Sequence, residues 1–320
     1  MLEQLLPWRG VILRVALAVL GVVLLVSIVR HVGPDVIAEL VTAALPWMPL
    51  ALVLEGARIG CDAVASAVVL GPKWRALGAW RLFLAHVAGH GVMNVMPGGR
   101  SASEIVKAGL FYGTIGASEA AALGTTNQAN VLLASALFSL PCAAAAYVVS
   151  PDRTLTIAIL IHAAVLFGSG IGVRMIVESA VIERFVRRRL PRHVETFERF
   201  QASSRGVSRL SPGPVTWMMV GRGAQTLQYA VLAHAVGLTV GPLVALAVQG
   251  TNLVAAAVGV LVPGQVGSSE GVFMLAASAL GTTPARATSV ALLAHASGLT
   301  WTALGFVVLF FWRAPPSPRP

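Results

Sequence analysis

Two glutamates, Glu104 and Glu270, end strings of the same outline, P-G-x-x-x-x-S-E, and each stands seven residues after the proline of its string. In both strings an apolar run stops at a helix-breaking Pro-Gly pair, and the carboxylate comes where a new helix could begin. Enclosed in an apolar protein, such a carboxylate could bind a cationic group or a coupling proton. It could instead cap the new helix, because Ser101 with Glu104, and Gly267 with Glu270, have the spacing of a capping box.

The repetition of the string indicates an internal duplication. The first string is Pro97–Glu104, and the second, Pro263–Glu270, lies 166 residues further on in similar apolar surroundings. The copies differ in charge, because Arg100 and Lys107 flank the glutamate of the first string only. The residues expected to shape the backbone of the two strings are Pro97, Gly98, Gly99, Pro263, Gly264 and Gly267.

Arginines inside apolar segments could bind a phosphate group. Arg58 has Glu55 and Asp62 within one helical turn on either side, and Arg222 stands two positions from the counterpart of Arg58 in the second copy. The planar fork of a guanidinium group matches the oxygens of a phosphate. The alternatives are an internal ion pair between Glu55 and Arg58, and an Arg222 that lies at a membrane interface.

A polar stripe leads into the first string. His86, His90 and Asn94 follow one another at intervals of four, and Asn252 is the counterpart of His86 in the second copy. This stripe fits a hydrated path. Two histidines four apart could also bind a metal, but no third ligand follows from the sequence, and we predict neither a metal site nor another cofactor. Further polar residues, expected to hydrogen-bond between helices, are Asn127, Gln128, Asn130 and His295.

The chain that carries these residues is too apolar for a soluble domain. Its residues are 56% hydrophobic and 11% charged, whereas a soluble domain has about 25% charged residues. The formal charge of +10 comes from 23 Lys and Arg against 13 Asp and Glu. The arginines gather in polar connections between the apolar segments. This distribution indicates that the charge orients the protein in a membrane and contacts lipid headgroups, and does not bind nucleic acid. Cys61 and Cys142 lie in apolar segments and predict no disulfide framework.

The apolar segments predict an all-α polytopic membrane protein. About eight segments approach or exceed the ~20 residues that span a bilayer, and the first is interpreted as an uncleaved transmembrane helix. The short apolar tails of the two strings, 105–116 and 271–282, predict broken or re-entrant helices that face the protein interior. The predicted full spans are 11–30, 47–70, 80–96, 117–149, 154–177, 215–237, 243–262 and 284–312.

The basic residues constrain the topology. They form four groups that favour the cytoplasm, so an even number of membrane crossings must separate each group from the next. This condition requires the apolar tail of each string to supply one crossing. The halves 11–149 and 154–312 would then form an inverted repeat within a single transmembrane domain, 1–320, with both termini in the cytoplasm. The basic linker 178–214 could lie on the inner membrane surface or form a solvated charged connection.

With its two strings, the chain resembles the transmembrane, flippase-like part of the lysylphosphatidylglycerol synthase family over residues 11–312. It is similar to short members that lack the soluble aminoacyl-transferase domain. The resemblance implies the inner membrane of a bacterium and a role in moving lipids such as phospholipids, hopanoids or glycolipid carriers, with a lipid-synthesising enzyme as a possible partner. The chain departs from the family at Arg100 and Ser101, near an expected glycine, and in the alanine-rich 117–124, where a polar signature is expected.

The leading hypothesis is a lipid translocase with no catalytic activity. A headgroup would enter between the two halves, its phosphate meeting Arg58 or Arg222 and any amine meeting Glu104 or Glu270. Because the sequence has no ATP-binding loop, movement would be passive or ion-coupled. The alternatives are a membrane-embedded enzyme that uses the histidines and glutamates on a lipid headgroup, a small-solute secondary transporter, and a membrane scaffold.

Overall fold

The protein is helical throughout the part of the chain that its structure, a computed structural model, describes: residues 9–96, 98–189, 194–206 and 212–312. Fourteen α-helices and short 3₁₀ turns occur in these ranges, without a β-strand. The helices are α1 (Arg9–Val32), α2 (Pro34–Ala44), α3 (Met48–Leu70), α4 (Trp74–Leu77), α5 (Ala79–Val95), α6 (Gly99–Ile115), α7 (Ala117–Val149), α8 (Thr154–Glu178), α9 (Ala180–Arg189), α10 (Val194–Gly206), α11 (Pro212–Ala235), α12 (Pro242–Val258), α13 (Ser268–Leu275) and α14 (Pro284–Phe311).

The predicted class, an all-α polytopic membrane protein, is confirmed. Each of the eight predicted apolar segments coincides with a helix: α1, α3, α5, α7, α8, α11, α12 or α14. A helix satisfies its own backbone hydrogen bonds, which a chain surrounded by lipid requires. Four stretches of the described chain are both long and apolar enough to cross a membrane: Pro34–Leu77, Ala117–Val149, Thr154–Met175 and Pro284–Phe311.

The tails of the two strings form helices of unequal length. Helix α6 has 17 residues, and α13 has eight before the chain turns through Gly281. At 1.5 Å per residue, α6 is about 25 Å long and α13 about 12 Å. Against a hydrocarbon core of ~30 Å, α13 is a half-helix.

The helix contacts are reciprocal between two sets of four helices. Helix α3 packs against α11, α5 against α14, and α7 against α12. Within each set, α6 contacts α5 and α7, as α13 contacts α12 and α14. If α3 is exchanged for α11, α5 for α12, α6 for α13 and α7 for α14, the same contacts result. Such a pattern is typical of two packed copies of one unit.

Contacts at the helix ends show the relative direction of α7 and α14. Lys73, just before α4, pairs with Glu119 in the first turn of α7. Arg81, at the start of α5, lies over the ring of Trp312 at the end of α14, 5.9 Å from the ring centroid. Because only α4 separates Lys73 from α5, α7 begins at the end of the molecule where α14 finishes. Helices α7 and α14 therefore run in opposite directions.

The remaining helices pack around the two sets. Helix α8 lies against α7 and α12, and α10 lies against α7 and α8. Helix α1 contacts α13 and the 3₁₀ turn Pro263–Gln265, so it covers the second string. The largest apolar core, with Leu232, Val248, Phe273 and Leu293 fully buried, holds the second set to α7 and α8.

Candidate functional site

The two strings meet inside the protein. The Gly98 N–H donates a hydrogen bond of 3.2 Å to the Val260 carbonyl, just before the second string. Gly98 (φ 62°) and Gly264 (φ 66°) both adopt left-handed backbone that other residues avoid, so both strings turn alike directly after their prolines. Pro263 opens a 3₁₀ turn, whereas Pro97 lies outside the described residues.

A cavity of about 360 Å³ lies where the strings meet. Its wall includes Gly99 and Gly264 from the strings and residues of both helix sets. A smaller pocket of about 30 Å³ adjoins it and shares Arg58, His90 and Arg100 with it. The polar side chains of the large cavity are Glu55, Arg58, His90, Asn94, Arg100, Gln128, Ser135, His162, Arg222, Gln225, Gln228, Tyr229, Asn252, Gln265, Ser269 and His295.

The guanidinium of Arg58 is fully engaged inside the protein. Its Nη2 and Nε donate to Glu55 Oε1 over 2.7 and 3.1 Å, and its Nη1 donates to Asp62 Oδ2 over 3.3 Å. His90 Nδ1 lies 3.0 Å from Nη2. The internal ion pair, which was one of the two alternatives for Arg58, is therefore present.

Arg222 and Arg100 differ from Arg58 because neither forms an ion pair with a described residue. Arg222 donates 2.7 Å hydrogen bonds to the neutral side chains of Gln225 and Ser135. The side chain of Arg100 makes no hydrogen bond or salt bridge within the described ranges. The side chains of Arg100 and Arg222 both line the cavity. Arg222 stands near the middle of α11, facing the cavity and not at a helix end.

Glu104 is neutralised within its own helix. Lys107, which is buried, donates to Glu104 Oε1 over 2.7 Å, and Glu104 Oε2 has no hydrogen-bond partner in the described chain. Both residues line the smaller pocket and not the large cavity. The capping box considered for Ser101 and Glu104 is absent, because α6 already begins at Gly99, with Gly98 as its N-cap.

Glu270 caps the half-helix α13. It is fully buried, its Oε2 accepts the Gly267 N–H over 2.8 Å, and its Oε1 lies 2.7 Å from His295 Nδ1. His295 lines the large cavity, but Glu270 lines neither pocket. The structure therefore contains the capping interaction that was the alternative for Glu270.

The remaining predicted residues divide between the two pockets. His86 lies in the smaller pocket, where its Nε2 is 2.9 Å from Ser66 Oγ. Asn252 lines the large cavity and accepts the Tyr229 hydroxyl over 2.7 Å. No three His, Cys, Asp or Glu residues of the described chain are grouped as a metal site requires. Of the predicted binding residues, the large cavity thus receives Arg58, Arg100, Arg222 and Asn252.

Several cavity residues were not predicted. Gln225, Gln228 and Tyr229 follow Arg222 by three, six and seven residues, so they share its helix face, and this periodicity could have revealed them. Ser135 and His162 gave no comparable signal, because isolated small polar residues are common in apolar helices.

These features define an all-α membrane protein with an arginine-rich cavity at the meeting point of its two Pro-Gly strings. The chain belongs to the lysylphosphatidylglycerol synthase transmembrane family: a sequence model described as "Lysylphosphatidylglycerol synthase TM region" matches residues 11–305. Membership confirms the resemblance and places the chain among membrane proteins that act on lipids. No curated protein and no solved structure is significantly similar to it.

Proposed function

We propose that this protein is a lipid translocase whose large cavity holds the headgroup of a lipid while it moves between the leaflets. The observation that carries the proposal is the pair Arg222 and Arg100, which face the cavity without an ion-pair partner among the described residues. A charged side chain at membrane depth is costly and typically marks a ligand path. A phosphate group would supply the missing negative charge, and guanidinium binds phosphate oxygens in pairs.

The size of the cavity supports a headgroup as its occupant. At about 360 Å³ it lies near the lower end of the ~300–1,000 Å³ of small-ligand pockets. Such a volume accommodates a polar headgroup but not two acyl chains. The chains would therefore remain in the bilayer while the headgroup passes Arg222 and Arg100.

The helix arrangement supports alternating access to this cavity. The opposite directions of α7 and α14, together with the reciprocal contacts of the two sets, are what an inverted repeat requires. In such transporters the binding site lies between the repeats, next to broken helices, and the lining of this cavity by residues of both helix sets supports the same arrangement. We place the protein in a bacterial inner membrane with both termini in the cytoplasm, and we propose passive or ion-coupled movement without catalysis.

The test is lipid movement in proteoliposomes that contain the full chain. Wild-type protein should speed the exchange of a labelled anionic phospholipid between leaflets. Arg222→Gln should slow it about tenfold or more, because a hydrogen bond to a charged group contributes about 1.5–3 kcal/mol. Arg286→Gln is the matched control, since Arg286 is an exposed arginine that lines neither pocket. Wild-type rates equal to those of empty liposomes, for every headgroup tried, would disprove translocation.

A further inference from the structure

The large cavity carries more positive than negative charge. Among the described residues, three guanidinium groups line it, from Arg58, Arg100 and Arg222, but only one carboxylate, from Glu55. That carboxylate is already bound to Arg58. Because all three guanidinium groups line one cavity, they repel one another, and this repulsion is offset only in part by Glu55 and Asp62.

Each carboxylate in or beside the described part of the cavity already has a cationic partner or lies outside its wall. Asp62 approaches from the smaller pocket and bonds Arg58. Glu104 lines only the smaller pocket and is bound to Lys107, and Glu270 lines neither pocket. An amine in the cavity would therefore meet two guanidinium groups that lack an ion-pair partner, and the one carboxylate that it could reach is already paired with Arg58, so its desolvation would be poorly compensated.

We infer that the ligand of this cavity is a phosphate ester with two negative charges, a phosphomonoester or a diphosphate, and not a zwitterionic or aminoacylated headgroup. The inference rests on the proposed function, which it deepens by naming the substrate class. A phosphomonoester carries about −1.5 to −2 charges at pH 7, enough to offset both Arg100 and Arg222, whereas a phosphodiester carries one. Its terminal oxygens are also free to accept hydrogen bonds from two guanidinium forks at once.

Helix α6 adds donors on the same side of the cavity. It begins at Gly99, which lines the cavity, and has no side-chain cap; the Ser101 N–H donates to the Gly98 carbonyl, and the N–H groups of Gly99 and Arg100 have no partner within the helix. Arg100 is thus both a cation in the wall and part of the first turn of a helix whose positive end favours an anion. Two adjacent features of the first string therefore select for negative charge.

A headgroup panel in proteoliposomes tests this selection. Lipids with identical labelled acyl chains and the headgroups of phosphatidic acid, phosphatidylglycerol, phosphatidylcholine and phosphatidylethanolamine should be compared in wild type, Arg100→Gln, Arg222→Gln and the control Arg286→Gln. We expect phosphatidic acid to move at least about tenfold faster than phosphatidylcholine, and either cavity variant to remove most of this difference. Equal rates for all headgroups, or a preference for an amine-bearing one, would overturn the inference and leave translocation standing.

A binding measurement separates failure of the inference from failure of translocation. In detergent, dioctanoyl phosphatidic acid should raise the Tm of wild type and of Arg286→Gln, but not that of Arg222→Gln, and dioctanoyl phosphatidylcholine should raise none. Arg222→Lys, which keeps the charge, should retain part of the Tm shift, and it replaces Arg222→Gln in this test if that variant is poorly folded. Absence of a shift with phosphatidic acid would overturn the inference even if lipids move. Inorganic phosphate at the same concentration should shift the Tm less; an equal shift would assign the site to a free phosphate and overturn the lipid assignment.

Discussion

Both carboxylate oxygens of Glu270 have partners inside the protein, one on the backbone of Gly267 and one on His295. A buried group satisfied in this way contributes to stability mainly because its removal leaves the partners unpaired. The residue also stands outside both pockets. Its role in the structure is to hold the start of the half-helix α13 and the ring of a cavity histidine.

We therefore expect Glu270→Ala to act on stability and not on transport. The Gly267 N–H and His295 would lose their partner, which should lower the free energy of unfolding by about 1–3 kcal/mol. Unfolding in detergent measures this loss, and transport per folded molecule should stay within about twofold of wild type. Glu195→Ala is the control, because Glu195 is 84% exposed and its pair with Arg199 is of the weak surface type. An intact stability combined with lost transport would instead place Glu270 in the transport path.

At this scale the sequence predicts local pairs and misses distant ones. Glu55 and Arg58 are three residues apart on one helix, so their ion pair follows from helix geometry alone. Arg222 and Ser135 are 87 residues apart, and their hydrogen bond depends on which helices pack together. The same holds for Glu270 and His295, which lie on different helices. The sequence was sufficient to name candidate cavity residues. It was not sufficient to predict which of them would have an ion-pair partner in the folded protein.

At the scale of helices, the second string is fitted closely to α1. Gly267 has φ 79°, and a Cβ atom there would lie 2.2 Å from the Gly21 carbonyl oxygen. A Cβ atom on Gly21 would in turn lie 2.7 Å from the Val266 carbonyl oxygen. The two backbones can approach this closely only because both residues lack a side chain.

Gly267→Ala should therefore be strongly destabilising. It adds the left-handed backbone strain of about 1–3 kcal/mol to an overpacking cost of similar size. Gly281→Ala is the matched control, because Gly281 has φ 65° but nothing within 4 Å of an added Cβ atom, so it suffers the strain alone. Thermal unfolding in detergent should give a clearly lower Tm for Gly267→Ala than for Gly281→Ala. Equal losses would mean that α1 does not pack against the second string as described.

The helices themselves were predictable to the extent that they are apolar and long. Hydrophobic runs revealed eight of the helices, whereas α2 was missed, because it has only 11 residues and carries Asp35 and Glu39. The tails of the two strings look alike in sequence, yet α6 is twice as long as α13, because packing and not composition determines where each ends.

Within the basic linker, α10 packs on α7 and α8, so this part is not a purely solvated connection. Binding of the linker to the membrane surface stays a prediction.

At the scale of the whole molecule, the proposed inverted repeat predicts opposite sidedness for equivalent loops. The turn before α7 and the turn before α14 occupy corresponding places in the two sets. In a background with Cys61 and Cys142 replaced by alanine, Ala117→Cys should react with an impermeant thiol reagent from the cytoplasmic side only, and Pro284→Cys from the opposite side only. Labelling of both from one side would exclude the inverted arrangement. Unmodified background protein is the control for residual reactivity.

The docking of α1 on the second string has a consequence for the time course of biosynthesis. Helix α1 is made before the second string: Gly267, against which Gly21 packs, follows about 250 residues later, which takes roughly 12–50 s at 5–20 residues per second. During that interval the glycine-bearing side of α1 lacks the contact that it makes in the finished structure. Helix α1 is thus made before the second string but can dock on it only after the half-helix α13 has been synthesised.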